Sequence, residues 1–261
     1  MKTKKIFYFL LLLGFLSGCD YLDIVPDNLP TLEMAFNNKS SAERFLFTCY
    51  SFVPEHGKIG TDPGMDVGDE VWYYSDNSAD YSNKTTFWIA KGMQNSNEPL
   101  VDYWNGTQWG KAMFVGIRDC NVFIENIDKV PDLSAYDKET WKAEVKVLKA
   151  FYHFWLMRMY GPIPIVKENI PVSADENEVR VVRDKIDDIV AYTVSLIDES
   201  VDYLPLNIQN EAAEMGRITR PAAKAIKAKI LAFAASPFFN GNLDYANFKN
   251  ADGEPFFKIG R

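Results

Sequence analysis

Histidine and cysteine are scarce in this chain, two and three residues among 261. His56 and His153 are far apart, and no C-x-x-C or H-E-x-x-H spacing occurs, so no metal-ligand pattern is present. Three cysteines are also too few for a disulfide-dense mini-protein. Phosphate-cradling loops are missing: there is no G-x-x-x-x-G-K-[ST], and no G-x-G-x-x-G after a strand, which leaves no pattern for a nucleotide cofactor. Basic residues are the minority, 28 Lys and Arg against 36 Asp and Glu. The resulting net charge of −8 repels phosphate backbones and argues against nucleic acid as a partner. No apolar run reaches the roughly 18 residues that a membrane-spanning helix needs. What the chain does have is aromatics: 18 Phe, 13 Tyr and 6 Trp, 14% of all residues. The apolar and charged fractions, 47% and 25%, are those of an ordinary globular protein.

The N-terminus reads as an address. Lys2, Lys4 and Lys5 precede an apolar run from Ile6 to Leu13, which Phe15 and Leu16 extend past Gly14. The run ends in Leu16-Ser17-Gly18-Cys19, which resembles the lipobox of bacterial lipoproteins. Residues 1–18 are therefore expected to be a signal peptide, Cys19 the acylated residue, and 19–39 a lipidated tether. Removing residues 1–18 leaves 25 basic and 36 acidic groups, a more acidic chain still. Cys49 and Cys120 remain. Outside the cytoplasm they pair, or they are two buried thiols acting as small hydrophobes; both readings stand.

The rest of the chain reads as helices around one long irregular excursion. Ser40-Ser-Ala-Glu43 is a capping box and opens a helix to about Val53. Residues 55–100 are rich in Gly, Pro, Asp, Asn and Ser without helical period, and loops of that length are usually functional. A helix is expected from Gly106 to Ile127, with Trp109, Met113, Ile117, Val122 and Ile124 on its apolar face. Residues 137–160 show the clearest period: Trp141, Val145, Leu148, Tyr152, Trp155 and Met159. Pro162 to Val166 is extended, 180–203 is a further helix, and Thr219 caps an Ala-rich helix to Ser236. The tail to Arg261 reads as polar, with no capping element. Consecutive helix pairs make the fold class all-α, a tetratricopeptide-like helical repeat over 40–261 with a long loop excursion. A plain helical bundle is the alternative.

Few residues point to bond-breaking chemistry. His153 sits among aromatics on its helix and reads as a core histidine. Asp66, Asp69 and Glu70 fit an acid pair of a glycosidase, or a merely solvated loop. The excursion is conspicuous for its rings: Trp72, Tyr73, Tyr74, Tyr81, Phe87 and Trp88, followed by Tyr103 and Trp104. Ring faces take the C–H side of a sugar, and Asp69, Glu70, Gln94 or Asn95 then bond its hydroxyls. The candidate ligand site is Trp72, Tyr73, Tyr74, Trp88, Trp104, Asp69 and Asn95; the rival reading is that these rings pin the loop to the helices.

Several segments, in order, resemble the SusD/RagB-like nutrient-binding outer-membrane lipoproteins of Bacteroidetes. They are Cys19-Asp-Tyr-Leu-Asp23-x-x-Pro26, Ala35-Phe-Asn37, Ala42-Glu-x-Phe45-Leu with Cys49-Tyr50, Arg118-Asp-Cys-Asn121, Ala150-Phe-Tyr-x-Phe154, Tyr160-Gly-Pro-Ile-Pro164, and Gly216-Arg-Ile-Thr219 through Ala234-Ala-Ser-Pro237-x-Phe239. The resemblance implies a tetratricopeptide-based fold with a loop-rich ligand face. It implies a role without catalysis or cofactor: capturing oligosaccharides or other nutrients at the cell surface, as the lid of a TonB-dependent SusC-type transporter. It also implies an outer-membrane location through the lipid anchor, helped by Asp20 and Asp23 as an export signal. Family members resemble longer chains, of which this sequence matches the N-terminal half. A solenoid cut between repeats is expected to show an apolar face near 219–239. The competing functions are a glycoside hydrolase acting on the same sugars and a tetratricopeptide scaffold that binds protein.

Overall fold

Asn38, Ser134 and Thr219 stand in extended backbone, and each side chain accepts a hydrogen bond from the backbone N–H three residues on. Each therefore starts a helix by satisfying a donor the helix itself leaves open. The structure is a computed structural model and describes residues 31–55, 57, 62–68 and 88–258. The chain divides into two units, Met1–Ala35 and Phe36–Arg261. In the first, Leu32–Ala35 forms one helical turn. In the second, the long helices are α1 (Lys39–Tyr50), α2 (Met113–Asn126), α3 (Ala135–Tyr160), α4 (Ile186–Ser200) and α5 (Arg220–Ala234). The described residues contain no strand; two isolated bridges, Asp102 to Thr107 and Lys249 to Pro255, are their only β pairings. The fold is all-α.

α3 is the axis. From Val145 to Met157 nearly every side chain is buried, because α2 packs on one side, α4 on the other, and α1 and α5 also touch it. Gly161 ends α3 at φ 72°, a left-handed value that glycine takes without strain, and its N–H caps the Met157 carbonyl. The Phe36, Phe45 and Phe123 rings close α1 against α2, with centroids 5.3–6.2 Å apart. These packed pairs, α2 with α3 and α4 with α5, make the helical-repeat architecture.

One polar seam crosses this apolar interior. Glu144, 1% exposed on α3, accepts the Tyr50 hydroxyl of α1 at 2.6 Å and is gripped by Arg217, Nε at 3.1 Å and Nη2 at 2.5 Å. Tyr50 in turn accepts from the Ile218 N–H at 2.9 Å. The guanidinium also lies 5.5 Å from the Trp141 ring. Burial pushes the Glu144 carboxyl above its ordinary range, and the Arg217 bonds only partly oppose that.

Four sequence expectations need correction. The helix expected from Gly106 starts at Met113, so Trp109 lies outside it and on no apolar face. The helix expected over 180–203 starts at Ile186. Residues ahead of it form an extended strap, in which the Asp184 N–H reaches the Ile163 carbonyl at 2.9 Å and the Asp184 carboxylate takes the Ile165 N–H at 2.7 Å. α1 is capped by Asn38 rather than by the Ser40 box. The tail has a closing element: Leu243–Tyr245 is a 3-10 turn, and Phe256 and Phe257 are buried, with Tyr245 stacked on Phe257 at 4.5 Å. On α5 only Ala223 and Ile230 are buried; Leu231 on it and Phe238 just past it are exposed, while Phe239 is buried.

Candidate functional site

One carboxylate folds the segment that leads into α2. Asp102 is 5% exposed, and among the described residues no ion pair is made to it. Its Oδ1 accepts the N–H groups of Trp104 (2.9 Å) and Asn105 (3.0 Å); its Oδ2 accepts the Asn105 side-chain amide (2.9 Å) and the Thr107 hydroxyl (3.1 Å). Burial pushes this carboxyl up, but the hydrogen bonds from Asn105, Thr107 and Trp104 win and hold it below the ordinary range. The Tyr160 hydroxyl at the end of α3 anchors the same turn by accepting the N–H groups of Tyr103 (2.8 Å) and Trp104 (3.2 Å). The chain then passes so close to itself that a Cβ on Gly110 would sit 1.9 Å from the Asp102 carbonyl oxygen. Only glycine fits there.

Between Thr107 and Gly110 the backbone is strained. Gln108 (φ 49°) and Trp109 (φ 68°) both hold the left-handed conformation, which costs a non-glycine residue about 1–2 kcal/mol. Trp109 is 70% exposed. Strain that fixes a large ring in solvent has no use in packing, and such outliers cluster at ligand sites.

Beside this turn lies an open hollow of about 780 Å³, lined by Asn95, Glu98, Asp102, Trp104, Tyr160 and Arg183 among others, Gln108 included. The Trp104 ring is wedged edge-on against Phe114 (4.7 Å) and Tyr160 (5.5 Å), and the Arg183 guanidinium lies 5.9 Å from its centre. Trp104 is thus a half-buried wall rather than an open platform. The hollow offers aromatic surface, a cation, a carboxylate and amides, which suits a neutral polar ligand. Among the described residues no group of three His, Cys, Asp or Glu is arranged to hold a metal ion.

His153 is fully buried and stands away from any such chemistry. Its Nδ1 donates to the Lys149 carbonyl at 2.8 Å and its Nε2 accepts the Val166 N–H at 3.1 Å, so both nitrogens are used in the neutral ring. Burial pushes its pKa down to about 4.

The family described as "Starch-binding associating with outer membrane", SusD-like, matches residues 20–231. The chain belongs to the SusD-like family. The SusD-like protein P25 of Formosa agariphila is 22% identical over 240 residues, which is 88% of this chain and 43% of that protein. The solved structure of BT4246 superposes with a TM-score of 0.67 at 28% identity, over 85% of this chain and 36% of the other. Surface glycan-binding protein A from Bacteroides uniformis shares the fold, with a TM-score of 0.57 at 19% identity, over 82% of this chain and 50% of the other. The chain therefore spans half or less of the length of each of these relatives.

Within this SusD-like fold the candidate residues part company. Asn95 and Trp104 line the same hollow. Asn95, however, spends its side-chain oxygen on its own loop, accepting the N–H groups of Asn97 (3.0 Å) and Glu98 (2.7 Å). Trp88 is 39% exposed, lies 5.2 Å from the Lys91 ammonium and does not line the hollow. Trp72, Tyr73, Tyr74 and Asp69 lie outside the described residues, as does Cys19. Sequence reasoning missed Arg183, Tyr160 and Trp109. The signal for Trp109 was Gly106-x-x-x-Gly110, two punctuating glycines around the ring.

Proposed function

We propose that this SusD-like chain is the glycan-capturing part of a surface lipoprotein, acylated at Cys19 and seated over a TonB-dependent SusC-type transporter in the outer membrane. It binds oligosaccharide without cleaving it and hands the ligand to the transporter. The supporting observation is the open hollow walled by Trp104, with Arg183 and Glu98 on its rim and the strained, exposed Trp109 beside it. A ring face covers the apolar side of a sugar, while the charged and amide groups bond its hydroxyls. The names of relatives support the ligand class: one solved neighbour is a laminarin-binding SusD-like protein, with a TM-score of 0.59 at 20% identity, and another is the Bacteroides uniformis glycan-binding protein. Trp72, Tyr73, Tyr74, Trp88 and Asp69 remain proposed partners on the same excursion.

The test is affinity electrophoresis through gels holding single polysaccharides, comparing the parent with Trp109→Ala and Arg183→Ala. Truncating a tryptophan that becomes covered on binding costs about 2 kcal/mol, so Trp109→Ala should weaken retention about 30-fold with the melting temperature unchanged. Retention equal to the parent in both variants would sink the site. Release of reducing ends would favour the glycoside hydrolase instead.

A further inference from the structure

Cys49 and Cys120 lie far apart in sequence, on α1 and α2, and the fold brings them together. Both are completely buried, both are free thiols in this structure, and Cys49 is a near enough neighbour to act on the Cys120 thiol. Their positions are held from outside the pair. The Tyr152 hydroxyl of α3 donates to the Cys49 carbonyl at 2.5 Å. Phe36, Phe45 and Phe123 fix α1 on α2, and Gly116 lets the Phe52 ring sit against α2, where a Cβ would come within 2.9 Å of it. Neighbouring thiols on two packed helices are the arrangement from which a disulfide, its sulfurs roughly 2 Å apart, is made.

We propose that Cys49 and Cys120 form a disulfide that ties α1 to α2 and closes residues 50–119 into a covalent loop. That loop contains Asp102, Trp104 and Trp109, so the bond fastens the proposed ligand face at its base. In the finished fold burial raises the Cys120 thiol well above its ordinary pKa, and the closed interior admits no oxidant. The bond therefore forms while the chain is still folding. The thiolate of one cysteine attacks a sulfur of a disulfide oxidant, a dithiol oxidase of the cell envelope or glutathione disulfide. This gives a mixed disulfide and expels one thiolate. The second cysteine, deprotonated, attacks the protein sulfur of that mixed disulfide and expels the other thiolate. The two cysteines lose two protons and two electrons, and the oxidant gains them as two thiols. Burial then shields the bond from reductants.

The bond's occurrence in the cell rests on the export reading above; the chemistry does not, and the experiment separates them. The full chain is refolded in a mixture of glutathione and its disulfide, unfolded without reductant, alkylated and mapped by mass spectrometry. A linked Cys49–Cys120 peptide pair with neither thiol alkylated is expected. Both thiols alkylated in chain that has regained its helical circular dichroism would overturn the proposal. The oxidised protein should melt about 5–10 °C above the same protein refolded in dithiothreitol. The double variant Cys49→Ala with Cys120→Ala should show no such difference, and an oxidised form that melts below the reduced one would also overturn it. A bond that forms in glutathione but is absent from membrane-extracted protein supports the geometry and counts against export.

Discussion

Glu144 in the helical seam and Asp102 in the turn before α2 are both buried carboxylates, and the fold meets them in different ways. Glu144 is met by charge: Arg217 grips both of its oxygens, and Tyr50 adds a hydroxyl. Asp102 is met, among the described residues, by dipoles: backbone N–H groups, an amide and a hydroxyl from its own next five residues. The outcomes have opposite signs. Glu144 is pushed above its ordinary pKa because burial dominates; Asp102 falls below its ordinary value because its donors outweigh burial. Glu144 joins α1, α3 and the connector before α5, so its bonds span the chain. Asp102 organises only its own turn and the wall of the hollow. A long-range ion pair holds the scaffold, and a local hydrogen-bond fan shapes the surface.

The sharpest way to break this contrast is Glu144→Ala. It leaves the Arg217 guanidinium with Glu214, at 2.7 Å, as its remaining carboxylate, so the loss should approach but not exceed the about 3–5 kcal/mol that removing one partner of a buried pair costs. Unfolding by urea should show the loss at every helix. Replacing Glu144 and Arg217 together by Met should cost much less than the two single changes added, because the charge then left without its partner, Glu214, is the more exposed one. Equal additivity would mean the pair is not coupled.

Asp102→Ala should cost less, about 1–3 kcal/mol for four donors losing their acceptor, and should do so locally. Hydrogen exchange should speed up at the Trp104 and Asn105 amides while the α3 amides stay protected. pH sharpens the comparison further. Asp102 has a folded pKa below its ordinary 3.8, so its contribution is present above that value and lost as pH falls through the lowered one. Glu144 has a folded pKa above its ordinary 4.5, so its contribution is full below that value and declines as pH rises through the raised one. The stability difference between parent and Asp102→Asn should therefore grow with pH where that between parent and Glu144→Gln shrinks. Parallel curves for the two variants would erase the distinction.

The sequence made the scaffold legible where local rules act. Thr219 sits at its helix start as its chemistry predicts, and the expected helix over 137–160 is off by two residues at its start. It failed where distant partners decide. Val181 and Val182 look helical in sequence, but the pairing of Asp184 with Ile163 and Ile165 holds that stretch extended, with both valines exposed. Trp109, Met113 and Ile117 fit a helical step of four, yet the Asp102 fan and the close pass at Gly110 keep the helix from starting before Met113. Phe256 and Phe257 looked like part of a polar tail because their partners, Phe239 and Phe248, precede them through a turn the sequence does not announce. Of the candidate site, Trp104 and Asn95 were legible from composition. Arg183 and Tyr160 were not, since they arrive from an extended strap and a helix end.

Trp109→Gly should have the smallest effect, and it separates shape from function. If the turn is strained for the sake of the ring, glycine removes a left-handed penalty of about 1–2 kcal/mol, while its greater freedom in the unfolded chain returns about 0.5–1 kcal/mol. The melting temperature should thus hold or rise by a degree or two, against the usual direction for a substitution that deletes a large aromatic. Trp109→Ala keeps the penalty and should not show the rise. A clear fall in stability for Trp109→Gly would mean that the indole packs against the protein in solution, and would move Trp109 from the hollow's rim to the side of Trp104, among the rings that hold the loop down.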